Sequence, residues 1–275
     1  MEFKKWNDFS KSNKFKLLVI LGSARSKTSC PGEEGKTKLL WNELEQELTN
    51  IEIEVLNLEV DENPIVMPCK GCVSTAGGAH CHYPCDCYEP DQGDFMSDFD
   101  VYKKGEWADG ILLITPIYWF SVPGQVKNLF DRLVCINQTI TTEEAIDLLG
   151  DNIKSAEHTR ALKDLNLQNH WKGKRAAFIV HGDDGANDYK TGLPKTYNPD
   201  NLWTRVINLP QIAIMPIVEQ MRYSEVEVRD EWILTKHINR GKSYTDANLE
   251  VRTGSTEWTD YINLSIEMVK NFINE

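Results

Sequence analysis

The chain has 275 residues, 41% of them apolar and 26% charged, with 17 glycines and 11 prolines. This composition excludes disorder, a collagen-like repeat and a small disulfide scaffold, and a chain of this length buries a full core without staples. A formal net charge of −12 argues against general nucleic-acid binding, which needs a basic face to displace counterions.

From the N-terminus, residues 1–14 read as a basic arm without the apolar centre of a secretory signal. Residues 1–38 carry nine Lys or Arg against four Asp or Glu, so an acidic protein begins with a basic segment suited to a small anionic ligand. A solvated tail accounts for Lys4, Lys5 and Lys11, but Arg25, Lys36 and Lys38 lie in patterned sequence. A first strand is predicted over Phe15–Leu21. Its aliphatic run, Leu17 to Leu21, is five residues long and the longest in the chain, whereas a membrane span takes about 20. No membrane association is expected, and the cytoplasm is the default location.

A helix follows over Thr37–Leu48, with Leu39, Leu40, Leu44 and Leu48 at helical spacing. The second strand, Ile51–Leu58, alternates apolar with polar and reads as wetted on one face. A Cys-rich loop spans 61–98. The third strand, Gly110–Thr115, is continuously apolar, and the helix Gln125–Val134 carries Val126, Leu129, Phe130 and Leu133 inward. Residues 137–172 are helical in pattern but too polar for a core, and are expected to cover a site or a subunit interface. A fourth strand is predicted over Ala176–Val180 and a fifth over Ile212–Val218. Residues 219–275 form a C-terminal extension whose last helix follows Ser255, a good N-cap, with Glu257 in the first turn. No linker marks a second domain, so the chain is read as a single α/β domain. Its five-stranded parallel sheet in the order 2-1-3-4-5 puts the alternating strand at an edge, the flavodoxin-like doubly wound arrangement.

In such a sheet, ligands sit beyond the carboxyl ends of the strands where the order reverses. Three loops lie there. After strand 1, Ser23, Arg25 and Thr37 supply hydroxyls and a guanidinium around a helix start, a phosphate cradle. Gly35-Lys36-Thr37 ends like a nucleotide P-loop, but the first glycine of that motif would be Cys30, so the P-loop reading is rejected. After strand 3, Pro116, Ile117, Tyr118, Trp119 and Phe120 suit a flat ring system, although Trp119 or Phe120 could instead fill a dimer interface. After strand 4, His181, Gly182, Asp183 and Gly185 allow close backbone approach, with a solvated Asx-turn as the plain alternative.

The stretches GSAR…GKTKLLW and TPIYWFSVPGQVKNLFDRL, with the glycine-bearing loop after strand 4, resemble the flavodoxin-like NAD(P)H-dependent FMN reductases, and most nearly their iron–sulfur flavoprotein and multimeric flavodoxin branch. The resemblance implies that Ser23, Arg25 and Thr37 bind FMN phosphate, that Pro116 to Phe120 line the isoalloxazine ring, and that His181, Gly182, Asp183 and Gly185 close its other side. It implies hydride transfer from NADPH or NADH to the flavin and onward transfer to a small acceptor such as a quinone or free flavin. A homodimer or homotetramer is expected. No catalytic acid–base pair stands out, consistent with chemistry carried by the cofactor. Two alternatives are an electron-carrying flavoprotein without NAD(P)H turnover and a non-enzymatic module that binds a phosphate ligand. The phosphate loop is about nine residues longer than the family's compact form.

Five of the seven cysteines, Cys69, Cys72, Cys81, Cys85 and Cys87, fall within nineteen residues. The iron–sulfur relatives carry C-x2-C-x2-C-x4–7-C at this place. Here Cys69 and Cys72 keep the first pair, Thr75 fills the third slot, and Cys81 follows only later. His80 and His82 flank Cys81, so zinc is also chemically open. The broken spacing favours no obligatory metal.

Overall fold

The computed structural model describes residues 14–29, 32–61, 63–71, 85, 88, 93–118, 121–137, 169–182, 209–237, 251 and 254–275. Among these the strands are β1 (Lys16–Leu21), β2 (Glu52–Asn57), β3 (Gly110–Pro116), β4 (Arg175–Gly182) and β5 (Ile233–His237). The helices are α1 (Lys36–Glu47), α2 (Phe95–Asp98), α3 (Val101–Trp107), α4 (Gly124–Leu133), α5 (Leu209–Tyr223) and α6 (Thr256–Asn274). Every strand pairing is parallel and the order is β2-β1-β3-β4-β5, the doubly wound order predicted.

The side-chain period of two sorts the central strands between two cores. Leu18 and Ile20 of β1, Ile111 and Leu113 of β3, and Phe178 and Val180 of β4 face one way, against α2, α3, α4 and α5. Leu17, Val19, Leu21, Leu112, Ile114, Ala177 and Ile179 face the other, against α1 and α6. Both faces being covered explains the uninterrupted apolar runs. β2 is the edge strand expected, paired on one side only, but it is not wetted on one face: Ile53 and Val55 pack on the α1 and α6 core, whereas Leu56 is buried in the opposite one.

The fifth strand is a correction. Ile212–Val218 is helical and lies inside α5. Ala213, Ile214, Ile217, Val218 and Met221 are buried at steps of three and four, while Gln211, Ile212, Pro216 and Glu219 are exposed. A seven-residue apolar window cannot separate a covered strand from a helix stripe, and the longer run from Pro210 to Met221 can. Pro216 lies on the wet side, where its missing N–H weakens the helix ladder without burying an orphan carbonyl. The true β5 falls within the segment read as a C-terminal extension, paired from Phe178↔Ile233 to Gly182↔His237. Ser255 caps α6 as predicted, its hydroxyl accepting from the Trp258 N–H at 3.3 Å. The loop expected over 61–98 ends in α2. The N-terminal arm and the 137–172 insertion lie almost wholly outside the described residues.

Candidate functional site

The carboxyl ends of β1, β3 and β4 meet at the point where the strand order reverses. Gly22 makes the close approach there: a Cβ would lie 2.6 Å from both Thr115 Oγ1 and Val126 Cγ2. Gly182 does the same for β4, where a Cβ would stand 2.9 Å from Ile117 Cδ1. The Ile117 N–H donates to the His181 carbonyl at 2.9 Å, which carries the β3–β4 ladder into the loop. The loop beyond Ile117 turns back, with Tyr118 and Ser121 exchanging main-chain bonds of 2.8 and 3.2 Å.

Two contacts join the three loops. The Ser23 and Tyr118 hydroxyls lie 3.2 Å apart, linking the loop after β1 to the one after β3. Thr37 Oγ1 lies 3.3 Å from His181 Nε2, linking the start of α1 to the end of β4. Ser23, Thr37 and His181 are buried, whereas Tyr118 is 37% exposed. Burial, and after it the charge of Lys36, pushes the His181 imidazolium down to about 3. The ring is therefore neutral at physiological pH.

The site residues expected from sequence divide three ways. Ser23, Thr37, Pro116, Ile117, Tyr118, His181 and Gly182 come together. Arg25 is turned to its own loop, Nη2 donating to the Glu33 carbonyl. Trp119, Phe120, Asp183 and Gly185 lie outside the described residues. Sequence reasoning missed three neighbours. Asp61 accepts from Ser26 at 2.9 Å, from Thr28 at 3.4 Å and from Ser29, and these hydroxyls, Ser29 first, hold its carboxyl below the usual range. The extra length of the loop thus has an anchor, and its later hydroxyls serve a carboxylate. Glu34 accepts from the Gly35 N–H at 3.1 Å, next to the start of α1. Tyr261 of α6 reaches His181 from the opposite side, 3.5 Å from its hydroxyl to Nδ1. A phenol in an otherwise apolar stripe was the available signal, since a buried hydroxyl needs a partner.

Residues 15–193 match the NADPH-dependent FMN reductase family, well over half of the chain. The chain belongs to this family. It is 31% identical over 141 residues, half of its own length, to an iron–sulfur flavoprotein of Methanosarcina thermophila, and 32% identical over 122 residues, 42% of its length, to one of Archaeoglobus fulgidus. The matched regions span 63% and 48% of those relatives. Among solved structures, a general stress protein 14 from Treponema denticola in complex with FMN aligns over 91% of this chain and 98% of its own, with 14% identity and a TM-score of 0.43. Membership rests on the family match.

The donor set of this FMN reductase family member fits its cofactor. α1 starts at Lys36 after a glycine that offers no side-chain cap, and its first turn carries no acidic residue, which suits an anion at that end. Ser23 and Thr37 add hydroxyls, and the partly exposed Tyr118 stands beside Ser23. An anion at this helix start would face the Glu34 carboxylate. Glu34→Gln is expected to tighten FMN by roughly 0.5–1 kcal/mol at low salt, the Coulomb scale for charges a few Å apart in water. A fluorescence titration of both forms at two ionic strengths checks this.

Among the described residues no group of three His, Cys, Asp or Glu is placed to hold a metal ion. Cys69 and Cys85 are half-buried; Cys72, Cys81 and Cys87 lie outside the described residues. No described helix is long and apolar enough to cross a membrane.

Proposed function

We propose that this protein is an FMN-dependent oxidoreductase that takes reducing equivalents from NADPH or NADH and delivers them to a small acceptor such as a quinone or free flavin. What supports the reading, beyond family membership, is the joining of the phosphate-type loop to the aromatic loop through Ser23 and Tyr118 at the switch point. When bound, FMN supplies the two-electron chemistry, accepting hydride from the nicotinamide and releasing electrons to the acceptor. The chain binds and orients. Ser23, Thr37 and the N–H groups at the start of α1 hold the phosphate. Pro116, Ile117 and Tyr118 flank the ring from β3, and the Gly182 end of β4 closes on the other side. A homodimer or homotetramer remains part of the proposal, with Trp119 and Phe120 as candidate lining or interface residues.

Anaerobic mixing of the FMN-loaded protein with NADPH or NADH tests the activity. Rapid bleaching of the flavin, with turnover on adding a quinone, is the expected result. Bleaching by dithionite alone would make the protein an electron carrier, and failure to take up FMN would leave a phosphate-binding module. The electron-carrier reading is favoured by one observation, the likeness to iron–sulfur flavoproteins with Cys69 and Cys72 retained. Iron and acid-labile sulfide near four per chain would support it, while trace amounts would leave the cysteines structural.

Arg25→Ala is expected to weaken FMN by about 1.5–3 kcal/mol, the scale of a hydrogen bond to a charged group. Part of that loss is indirect, because Arg25 also staples the loop to the Glu33 carbonyl. Unchanged affinity by titration would remove Arg25 from the phosphate site.

A further inference from the structure

Three buried groups form a line from α6 through the end of β4 to the first turn of α1. Tyr261, His181 and Thr37 are 1%, 3% and 2% exposed, so none of their polar atoms can rely on bulk water. The Tyr261 hydroxyl faces His181 Nδ1 at a long 3.5 Å, and His181 Nε2 faces Thr37 Oγ1 at 3.3 Å. Tyr261 lies beyond residue 193, where the family match ends.

The direction of the protons in this line follows from counting donors. A neutral imidazole has one N–H and one bare nitrogen. If Nδ1 carried the proton, it would donate to the Tyr261 oxygen, and the buried phenol proton would need another acceptor. Among the described residues, the Tyr261 hydroxyl has only His181 to donate to. Leaving a buried donor unmade is costly. Thr37 likewise has only His181 among the described residues, so either order leaves one hydroxyl proton over. An anion at the start of α1 can take the proton left on Thr37 but not one left on Tyr261, so with the anion bound the phenol donates to Nδ1, and the ring proton sits on Nε2 and is given to Thr37 Oγ1. Thr37, having accepted, is left with its own O–H free to donate elsewhere. The reverse order would spend the Thr37 proton on His181 and turn oxygen lone pairs toward any anion at the helix start.

We propose that Tyr261 is a positioning residue that acts through His181 to fix the Thr37 hydroxyl as a hydrogen-bond donor to the FMN phosphate. The inference rests on the FMN reading given above. It adds a specificity element from outside the family core: the C-terminal helix makes the site prefer a phosphorylated flavin to riboflavin.

Two measurements on the intact chain test it. In 15N NMR of histidine-labelled, FMN-loaded protein, His181 is expected as the Nε2–H tautomer in the wild type, and in Tyr261→Phe that preference is lost. In parallel fluorescence titrations, Tyr261→Phe is expected to weaken FMN three- to tenfold while riboflavin changes by less than twofold. A merely structural role of Tyr261 would weaken both flavins alike, and that result would overturn the proposal. So would an Nδ1–H tautomer in the FMN-loaded wild type, which needs no variant to fold. Wild type that binds neither flavin would overturn the FMN reading itself, and a wild type that binds both equally well would overturn only the phosphate preference argued here.

Discussion

Arg132→Leu is expected to destabilise the protein by about 3–5 kcal/mol, the range for removing one partner of a buried ion pair. Arg132 and Asp94 are essentially inaccessible, and Arg132 Nη1 donates to Asp94 Oδ2. The other carboxylate oxygen accepts from the Met67 N–H at 3.2 Å. The Arg132 carbonyl receives the Tyr102 hydroxyl at 3.4 Å and the Cys135 thiol at 3.2 Å, and the Tyr88 ring lies 5.0 Å from the guanidinium. The pair therefore ties α4, which follows the aromatic loop, to both ends of the cysteine-rich segment. Leucine would leave the Asp94 carboxylate buried with one main-chain N–H, so the carboxylate must either protonate or open the segment to water. A double replacement, Asp94→Leu with Arg132→Met, should cost clearly less than the sum of the single changes, since no charge is then stranded. Denaturant midpoints for the two single variants and the double one measure that coupling. Additive losses would mean that the pair carries no special strain on the fold.

The parts of this molecule that could be read from sequence are those where one physical constraint acts alone. β1, β3 and β4 are covered on both faces, so their composition is uninterrupted and their ends fall within one or two residues of those read from the pattern. Ser255 caps α6 because a hydroxyl before an amphipathic run has few other uses. Where two constraints coincide, the pattern is ambiguous. α5 carries seven apolar residues in sequence, as a covered strand would, although only part of them is buried, and β5 is a short edge strand whose ILTKH carries little hydrophobic signal. The site was legible as a set of loops, because strand order alone fixes which ends meet. Its internal pairing was not. That Thr37 faces His181 and that Asp61 collects the hydroxyls of Ser26, Thr28 and Ser29 depend on side-chain directions across long sequence separations, and that Arg25 turns to Glu33 depends on how its own loop folds back.

Those directions make His181 a group that acid should dislodge. Its folded-state value of about 3 lies well below the usual 6.5, and the cause is burial first and the Lys36 ammonium second. In the unfolded chain the imidazole takes up a proton near pH 6.5, while the folded chain resists until about pH 3. Between those limits the unfolded state binds more protons, so stability falls as the pH falls and is fully present above 6.5. The slope from this residue is about 1.4 kcal/mol for each pH unit in the window. Carboxylates add their own slopes lower down, so the comparison is with His181→Gln, which keeps an amide and cannot titrate. Between pH 6.5 and 4.5, wild type should lose about 1.4 kcal/mol per unit more than the variant in denaturant titrations of the apo protein. Equal slopes would mean that the ring protonates freely in the fold, and a histidine NMR titration of wild type alone would show the same thing as a midpoint near 6.5. The functional consequence is direct. A protonated ring carries N–H on both nitrogens, so it can no longer accept from Tyr261, and the line that orients Thr37 is broken from its far end.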